Sequence, residues 1–573
     1  MSEDLLNEPA PPAAKSRPWS ILAIPIVPLV LYALVAPDWY YLQNGLDPFF
    51  YTGYVQNFTE IFHAVGNDHY FISRWTVYLP QRALFMVFDD PKIAFLVFRW
   101  IGATVIVAAV YILGRGRWRR WDAVALAAIV LMTPMSIRAL CTDYSDAIVY
   151  PAGAAMIVAV AVFPDRGRWV IAAGALAGCM IVANPFALTV VAAALPFWLG
   201  RLERKRWLPM LGLATAGAAL VMLGGLLLFR WHYGIDNVYE PTLDFLRTRS
   251  GEQDPLKSPR LWWLGYRLWI YLPLLVIVVF HAMRRWFAFE FGAVETMIVR
   301  VCALQYAIQI WYQFARHGST LEISYYWSYI LPSFVLATCV VLGALGQRAG
   351  RWTLPAVAVG LAVLVRIVGD PTPEVFQSWI DAAVVVVVVV VALRRHPVLR
   401  PALMTSALAT SILFVQFGSP RPEPSLDGEL RVLSAYELAY DASGSPGIQS
   451  FETVSWFVEE MKAVPESVIR SSVFWYQGAV PARMAAMYGV QVSGLWLNPN
   501  WPDDDPAAPF PADAAIAVQQ GYIPSVVVIG SAAAVDAVSS QLAEIEPAMT
   551  ERLHLVAPGN IDVSVSVMST VEE

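Results

Sequence analysis

Apolar stretches long enough to cross a lipid bilayer recur along most of this 573-residue chain. A helix needs roughly 17 to 25 apolar residues to cross a hydrocarbon core about 30 Å thick. Only 15% of the residues are charged, against about 25% in soluble globular proteins, so a water-soluble enzyme is excluded for most of the length. We predict a polytopic α-helical membrane protein with about thirteen transmembrane helices. The predicted spans are 18–36, 94–113, 121–135, 147–163, 169–184, 186–199, 208–229, 264–281, 294–314, 325–345, 353–368, 379–393 and 402–417.

The two spans that flank Asn184 and Pro185 are short. They are consistent with two helices, and also with one kinked or re-entrant element, because irregular backbone at membrane depth is tolerated where protein surrounds it. Both interpretations stay open at this stage.

Charge is distributed unevenly along the chain. Residues 419–573 hold 6 Lys and Arg against 20 Asp and Glu, a net charge of −14, and the remainder carries +8. Lys and Arg cluster in every second connection between spans, which indicates that those connections and the N-terminus are cytoplasmic. An odd number of spans then puts the acidic C-terminal region outside. We predict a multi-pass protein of the plasma membrane whose polar residues 1–17 form a disordered cytoplasmic tail, and the net charge of −6 argues against a nucleic-acid partner.

The C-terminal region, residues 419–573, alternates helical and strand patterns. This alternation predicts a soluble extracytoplasmic α/β domain, and its length is sufficient for a core of its own. The predicted helices are 451–464, 481–488, 512–520 and 532–545, and the predicted strands are 467–475, 490–497, 525–530, 552–556 and 561–568.

The remaining domain, residues 18–418, has four predicted outer loops in which function is expected to concentrate. We name them the first outer loop (37–92), the second (137–147), the third (230–263) and the fourth (315–324).

Asp47 lies near the start of the first outer loop, about ten residues after the first span. It precedes an aromatic segment containing Tyr51 and Tyr54 that would lie at the membrane interface. A structural interpretation is also available, since Asp followed by Pro48 is a typical helix N-cap and first helical residue.

The second outer loop carries a pair of acids, Asp143 and Asp146, three residues apart and on one face of any helical turn. Two carboxylates beside an apolar region keep at least one pKa raised unless a cation is near, which suits a proton acceptor. The alternative is helix capping, with one of the two acids paired to Arg138.

The fourth outer loop contains Arg316, His317 and Glu322, followed by Tyr325 and Tyr326. The cations could hold a phosphate, because a guanidinium fork matches phosphate oxygens. Alternatively, Arg316 extends toward the interface and the aromatics form an interfacial belt. The third outer loop adds further cations, which run against the positive-inside rule and suggest an anionic partner. They are Arg230, His232, Arg247, Arg249, Lys257 and Arg260.

This arrangement resembles the GT-C class of membrane glycosyltransferases, in particular bacterial relatives of the protein O-mannosyltransferases and the aminoarabinose transferases. The segment from Asp47 to Tyr51 (DPFFY) is similar to the acidic motif of that class in the first outer loop, and 142–146 (TDYSD) to its second. Residues 321–326 (LEISYY), leading to Leu331 and Pro332, resemble a third motif, with Ser324 where the class often has Arg.

The resemblance implies an inverting transfer of a sugar from a polyprenyl-phosphate donor to a glycan, lipid or protein acceptor on the outer face. It implies Asp47 as general base, with Asp143 or Asp146 orienting the acceptor. No cofactor is required, although Asp47 and Asp143 would be the ligands of an optional Mg²⁺ or Mn²⁺. The phosphate would contact Arg316, His317, Arg249, Lys257 and Arg260. The sugar or acceptor would contact Tyr51, Tyr54, Glu322, Tyr325 and Tyr326.

Two alternatives remain. A transporter or flippase is favoured by the many spans, by the Asn184-Pro185 break and by Arg366 and Asp370 near a span end. It is disfavoured by the lack of a hydropathy repeat between the two halves. A glycan polymerase or ligase that uses a lipid diphosphate is the other alternative.

Overall fold

The computed structural model describes most of the chain. It comprises residues 19–35, 47–65, 69–142, 144–249, 271–286, 288–315, 321, 329–368, 399–418, 421–424, 430–433, 447–490, 496–497, 510–559 and 561–571.

Most of these residues are helical. The helices of the N-terminal bundle are α1 (Trp19–Val35), α2 (Asp47–Gln56), α3 (Phe58–Val65), α4 (Trp75–Phe88), α5 (Pro91–Gly114), α6 (Arg120–Leu131), α7 (Pro134–Cys141), α8 (Asp146–Val162), α9 (Gly167–Ala183), α10 (Leu188–Leu199), α11 (Trp207–Tyr233), α12 (Glu240–Arg249), α13 (Leu272–Trp286), α14 (Ala293–Ala315), α15 (Leu331–Ala349), α16 (Thr353–Val368) and α17 (Leu399–Gly418).

Every predicted span except 379–393, which lies outside the described residues, overlaps one of these helices. Four helices in the described part are long and apolar enough to cross a membrane, and a bent pair makes a fifth if it is counted as one span. The four are Pro91–Gly114, Arg204–Tyr233, Ala293–Ala315 and Leu331–Ala349. The membrane character is therefore supported, and the number thirteen stays a prediction.

The predicted span 121–135 is interrupted in the structure. Helix α6 ends at Leu131, and the next segment, Met135–Cys141, is turned by 77°. Pro134 stands at the break and has no N–H for a helical hydrogen bond. With only 12 residues, α6 is about 18 Å long at 1.5 Å per residue, shorter than a hydrocarbon core of about 30 Å.

At Asn184 and Pro185 the structure has two helices, α9 and α10, joined by the 3-10 turn Pro185–Ala187. The Asn184 side chain accepts the Phe186 N–H at 3.1 Å, which caps this turn. Of the two interpretations left open by the sequence, the described residues adopt the helical hairpin.

The Arg-rich connections meet at one end of the bundle. Arg119 Nη2 donates to the Gln347 carbonyl at 3.2 Å, and Arg117 forms an ion pair with Glu295 at 3.0 Å. Helix α5 begins beside the first outer loop and ends at these arginines. The basic connections and the first outer loop therefore lie at opposite ends; which end is cytoplasmic stays a prediction.

The C-terminal region contains a five-stranded mixed sheet in the order β4-β3-β5-β7-β6. β3 is parallel to β4 and β5, whereas β7 is antiparallel to β5 and β6. A separate antiparallel pair, β1 and β2, precedes it. The elements are β1 (Arg421–Pro424), β2 (Leu430–Leu433), α18 (Gly447–Met461), α19 (Glu466–Ser471), β3 (Ser472–Tyr476), α20 (Ala479–Ala486), β4 (Trp496–Leu497), α21 (Ala512–Gln519), β5 (Ser525–Gly530), α22 (Ala532–Ile545), β6 (Thr550–Val556) and β7 (Ser564–Ser569).

Two strand predictions in this region are corrected. The first part of predicted strand 467–475 is helix α19, which begins directly after Pro465. A short run with β-branched residues fits either structure, so its periodicity could not decide. Of predicted strand 490–497, only Trp496 and Leu497 are a strand among the described residues.

The sheet is covered on both faces, and one face is continuous with the bundle. Val526 and Val528 of β5 pack with α22 in a small core of their own. Val527 and Ile529 point to the other side and belong to the large apolar cluster that also contains the bundle core. This alternation is the period of two expected for a strand.

Helices α9 and α11 pack with their backbones in close approach. A Cβ on Gly217 would lie 2.1 Å from the Ile171 carbonyl oxygen, whereas a Cβ on Gly212 of the same helix would meet nothing within 4 Å. We expect Gly217→Ala to force the helices apart and to lower the free energy of unfolding by about 1–3 kcal/mol, the usual cost of overpacking.

The measurement is thermal unfolding in detergent, with Gly212→Ala as the matched control that should melt like the wild type. Equal melting temperatures for the two variants would show that the close approach does not matter to stability.

Candidate functional site

Helix α2 of the first outer loop begins at Asp47, followed by Pro48, as the helix-start interpretation expected. Tyr51 and Tyr54 are fully buried rather than at a lipid interface. The Tyr54 ring stacks on Tyr78 of α4 at 4.5 Å between centroids. Positions 47, 51 and 54 share one face of the helix because they are four and three residues apart.

The side chain of Arg74 lies against this face of α2. It ends the 3-10 turn Ile72–Arg74 and is only 7% exposed. Its Nη1 donates to the Tyr51 hydroxyl oxygen at 2.8 Å, and its guanidinium carbon lies 4.5 Å from the centroid of the Tyr70 ring. Among the described residues no carboxylate pairs with it, and its Nε has no hydrogen-bond partner. Since a buried charge is costly unless it is paired, Arg74 is electrostatically suited to an anion.

The second outer loop joins this centre through Tyr144. The Tyr144 ring meets the edge of Tyr51 at 5.8 Å between centroids. Tyr144 lies next to Asp143 and two residues before Asp146. The structure thus brings the neighbours of the candidate acids of both loops together, although the two motifs are almost a hundred residues apart in sequence.

Asp146 is 1% exposed and forms an ion pair with Arg138, Oδ2 to Nη1, at 3.0 Å. Arg138 belongs to α7, the helix after the bend, and Asp146 to the first turn of α8. The pairing that the sequence left open for Arg138 is therefore made by Asp146. A catalytic role for Asp146 stays a prediction.

The third outer loop contacts the residues that flank Arg74. Phe245 of α12 lies against the Tyr70 ring at 4.6 Å between centroids, and Ser73 Oγ donates to the Val238 carbonyl oxygen at 2.6 Å. Arg249 ends α12, but only its backbone is described. Three outer loops therefore converge on one buried guanidinium.

Several predicted site residues cannot be located relative to this centre. For Asp47, as for Arg249, the structure describes the backbone alone. The other predicted residues that lie outside the described part are Asp143, Lys257, Arg260, Arg316, His317, Glu322, Tyr325 and Tyr326. In the described part of the chain, no group of three or more His, Cys, Asp or Glu side chains is placed to hold a metal ion.

No motif in the sequence pointed to Arg74 or to its neighbour His69. A signal was present, because an Arg in a predicted outer loop runs against the positive-inside rule, as do the cations noted in the third loop. What the sequence did not indicate is that the side chain is buried among tyrosines.

His69 is neutral in this environment. Burial, and secondarily the charge of Arg74, lower the pKa of His69 to about 4. The Phe71 N–H donates to its Nδ1 at 3.4 Å, a weak contact that requires an unprotonated nitrogen. The centre thus carries one permanent cation and a neighbouring imidazole that stays uncharged at neutral pH.

Comparison with known proteins identifies the fold. No protein-family model matches the sequence, and the comparison with curated proteins also finds no match. Among solved structures, ArnT from Cupriavidus metallidurans bound to undecaprenyl phosphate aligns with a TM-score of 0.53 at 12% identity, over 96% of this chain and 98% of that one. The apo state of the same protein aligns with a TM-score of 0.50 at 12% identity, over the same shares of the two chains. The GT-C resemblance inferred from sequence is therefore confirmed at the level of the fold.

The pKa of His69 predicts how stability depends on pH. An unfolded His has a pKa of about 6.5, so between pH 6.5 and 4 the unfolded state binds more protons and the free energy of unfolding falls as pH falls. We expect a loss of about 1–2 kcal/mol from this residue between pH 7 and pH 5. Denaturant unfolding at both pH values should show a smaller loss for His69→Gln. A loss as large as that of the wild type would contradict the assignment.

The Arg138–Asp146 pair predicts a large stability effect. Asp146→Asn leaves the Arg138 charge buried without its carboxylate, which we expect to cost about 3–5 kcal/mol. Asp165→Asn is the matched control, since it removes an exposed ion pair with Arg206 at 3.1 Å, worth about 0–1 kcal/mol. If Asp146→Asn melts like the wild type but loses activity, the carboxylate serves the reaction rather than the fold.

Proposed function

We propose that this protein is a GT-C glycosyltransferase that moves a sugar from a polyprenyl-phosphate donor to a hydroxyl of an envelope glycan, lipid or protein acceptor. The reaction takes place at the outer face of the plasma membrane and inverts the anomeric carbon. The observation that carries the proposal is the buried guanidinium of Arg74 in a GT-C-like fold, around which residues of three outer loops meet.

The donor class follows from this cation and its surroundings. Phosphate oxygens match a guanidinium fork, and the aromatic side chains around Arg74 provide apolar surface beside it. The fold neighbour ArnT was solved with undecaprenyl phosphate bound, which supports a polyprenyl-phosphate donor here. Arg249, Lys257, Arg260, Arg316 and His317 remain proposed as further phosphate contacts.

The chemistry proceeds in one displacement. The acceptor oxygen attacks the anomeric carbon, the bond from that carbon to the phosphate oxygen breaks, and the hydroxyl proton passes to the Asp47 carboxylate. The leaving group is the polyprenyl monophosphate, whose developing charge Arg74 stabilises. Tyr51 orients Arg74 through its hydroxyl group. Glu322, Tyr325 and Tyr326 are proposed contacts of the sugar or acceptor, and Asp143 or Asp146 would orient the acceptor. Tyr54, which is fully buried against Tyr78, holds α2 in place instead.

A release assay tests the proposal. Purified protein receives a radiolabelled polyprenyl-monophosphate sugar and a membrane-glycan extract, and free lipid phosphate is measured. We expect Asp47→Asn to lower the rate by about 10²–10⁴, the usual contribution of a general base. We expect Arg74→Gln to lower it by about 10²–10³, as for a lost stabiliser of developing charge.

The matched control comes from the same loop. Asp89→Asn replaces an exposed acid. It should keep a near-wild-type rate. Equal release by the wild type and Asp47→Asn would disprove the base assignment. Turnover of a lipid-diphosphate donor only would instead favour a glycan polymerase or ligase.

A further inference from the structure

Helix α2 has a second buried face, opposite to the one that meets Arg74. Phe49, Gly53 and Gln56 lie on it, four and three residues apart, so they form one stripe. This stripe contacts the C-terminal region. The guanidinium carbon of Arg483, in α20, lies 5.4 Å from the centroid of the Phe49 ring, and Gln56 Nε2 donates to Ser455 Oγ of α18 at 3.2 Å.

The closest approach is at Gly53. A Cβ on Gly53 would lie 2.7 Å from the Met487 carbonyl oxygen and 3.1 Å from the Met487 Cα. Real Cβ atoms do not come this close, so only glycine permits this packing. Asn57, directly after α2, donates from Nδ2 to the same Met487 carbonyl at 3.3 Å. The turn after α20 therefore packs closely against the face of α2 that is opposite Arg74.

The contact between the first outer loop and the C-terminal region has an apolar centre, with an ion pair at each edge. Phe457 and Tyr488 of the C-terminal region belong to the same apolar cluster as Phe49. At one edge Lys92, in the first turn of α5, forms an ion pair with Glu452 of α18. At the other edge Glu60 of α3 lies 4.0 Å from Arg470. Burial raises the pKa of Glu60, and the charge of Arg470 acts in the opposite direction.

We infer that the C-terminal α/β region positions α2, and with it the backbone of Asp47, from the side opposite Arg74. Gly53 and the Met487 carbonyl are the positioning contacts. The consequence for catalysis rests on the proposed function: the contact sets the rate of the chemical step, because small misplacements of a reacting group cost rate. The effect on donor affinity is small, because Arg74 and Tyr70 lie outside α2 and only the Tyr51 hydroxyl group moves with the helix.

The first test is Gly53→Ala. The added methyl group requires α2 to move by several tenths of an ångström away from Met487, so we expect kcat to fall about tenfold or more, with the donor KM within about twofold of the wild type. Gly224→Ala is the matched control, since a Cβ there meets nothing within 4 Å. An unchanged kcat, or a rise in KM alone, would overturn the inference.

The second test uses the ion pair of Lys92 and Glu452, which are both solvent-exposed in part. Lys92→Glu and Glu452→Lys place like charges together and should each lower kcat, and the double variant should restore it. If the two single variants and the double variant all keep the wild-type kcat per folded molecule, the ion pair contributes to stability and not to the positioning of α2.

A third readout does not depend on catalysis. Hydrogen exchange of the amides in residues 50–56 should accelerate in Gly53→Ala and in both single charge variants, and should return toward the wild-type rate in the double variant. If the wild type transfers no sugar yet these exchange rates behave as stated, the proposed function fails while the positioning contact stands. If the exchange rates do not change, the positioning inference fails by itself.

Discussion

The buried charge of Arg74 is the constraint on which the outer part of this structure depends. A guanidinium cannot lose its proton at physiological pH, so its burial requires polarisable and hydrogen-bonding surroundings. Tyr51 and Tyr70 supply these from the first outer loop, and Tyr144 and Phe245 close the shell from the second and third loops. Segments that are far apart in sequence are thereby held at one end of the bundle.

Helix α2 connects this centre to the rest of the molecule. It is short, 10 residues, and a helix of that length is marginal by itself in water. Its order comes from burial on two faces, one against α4 and Arg74 and one against α18 and α20. The C-terminal region shares an apolar cluster with the bundle and packs on the face of α2 opposite Arg74, so it supports that helix from behind.

Much of the architecture could be predicted locally. Apolar runs located the helices because helix formation and membrane burial depend on neighbours within a few turns, and strand 525–530 and helix 532–545 were predicted with the observed bounds. The errors are also local in origin. Pro134 indicated a break after Leu131, but the apolar residues on both sides of it favoured one continuous span. The segment before β3 was ambiguous because its six residues are too few to show a period.

The sequence by itself indicated a membrane-embedded helical protein with an acidic α/β end, and offered Asp47 as a helix start, because composition, apolar runs and the Asp-Pro pair act over short distances. Only the tertiary structure decided that Arg74 is the buried cation, that Asp146 is paired with Arg138, and that Met487 packs on Gly53. These are contacts between segments up to several hundred residues apart, and no local pattern encodes which of many cations or acids will lose its access to water.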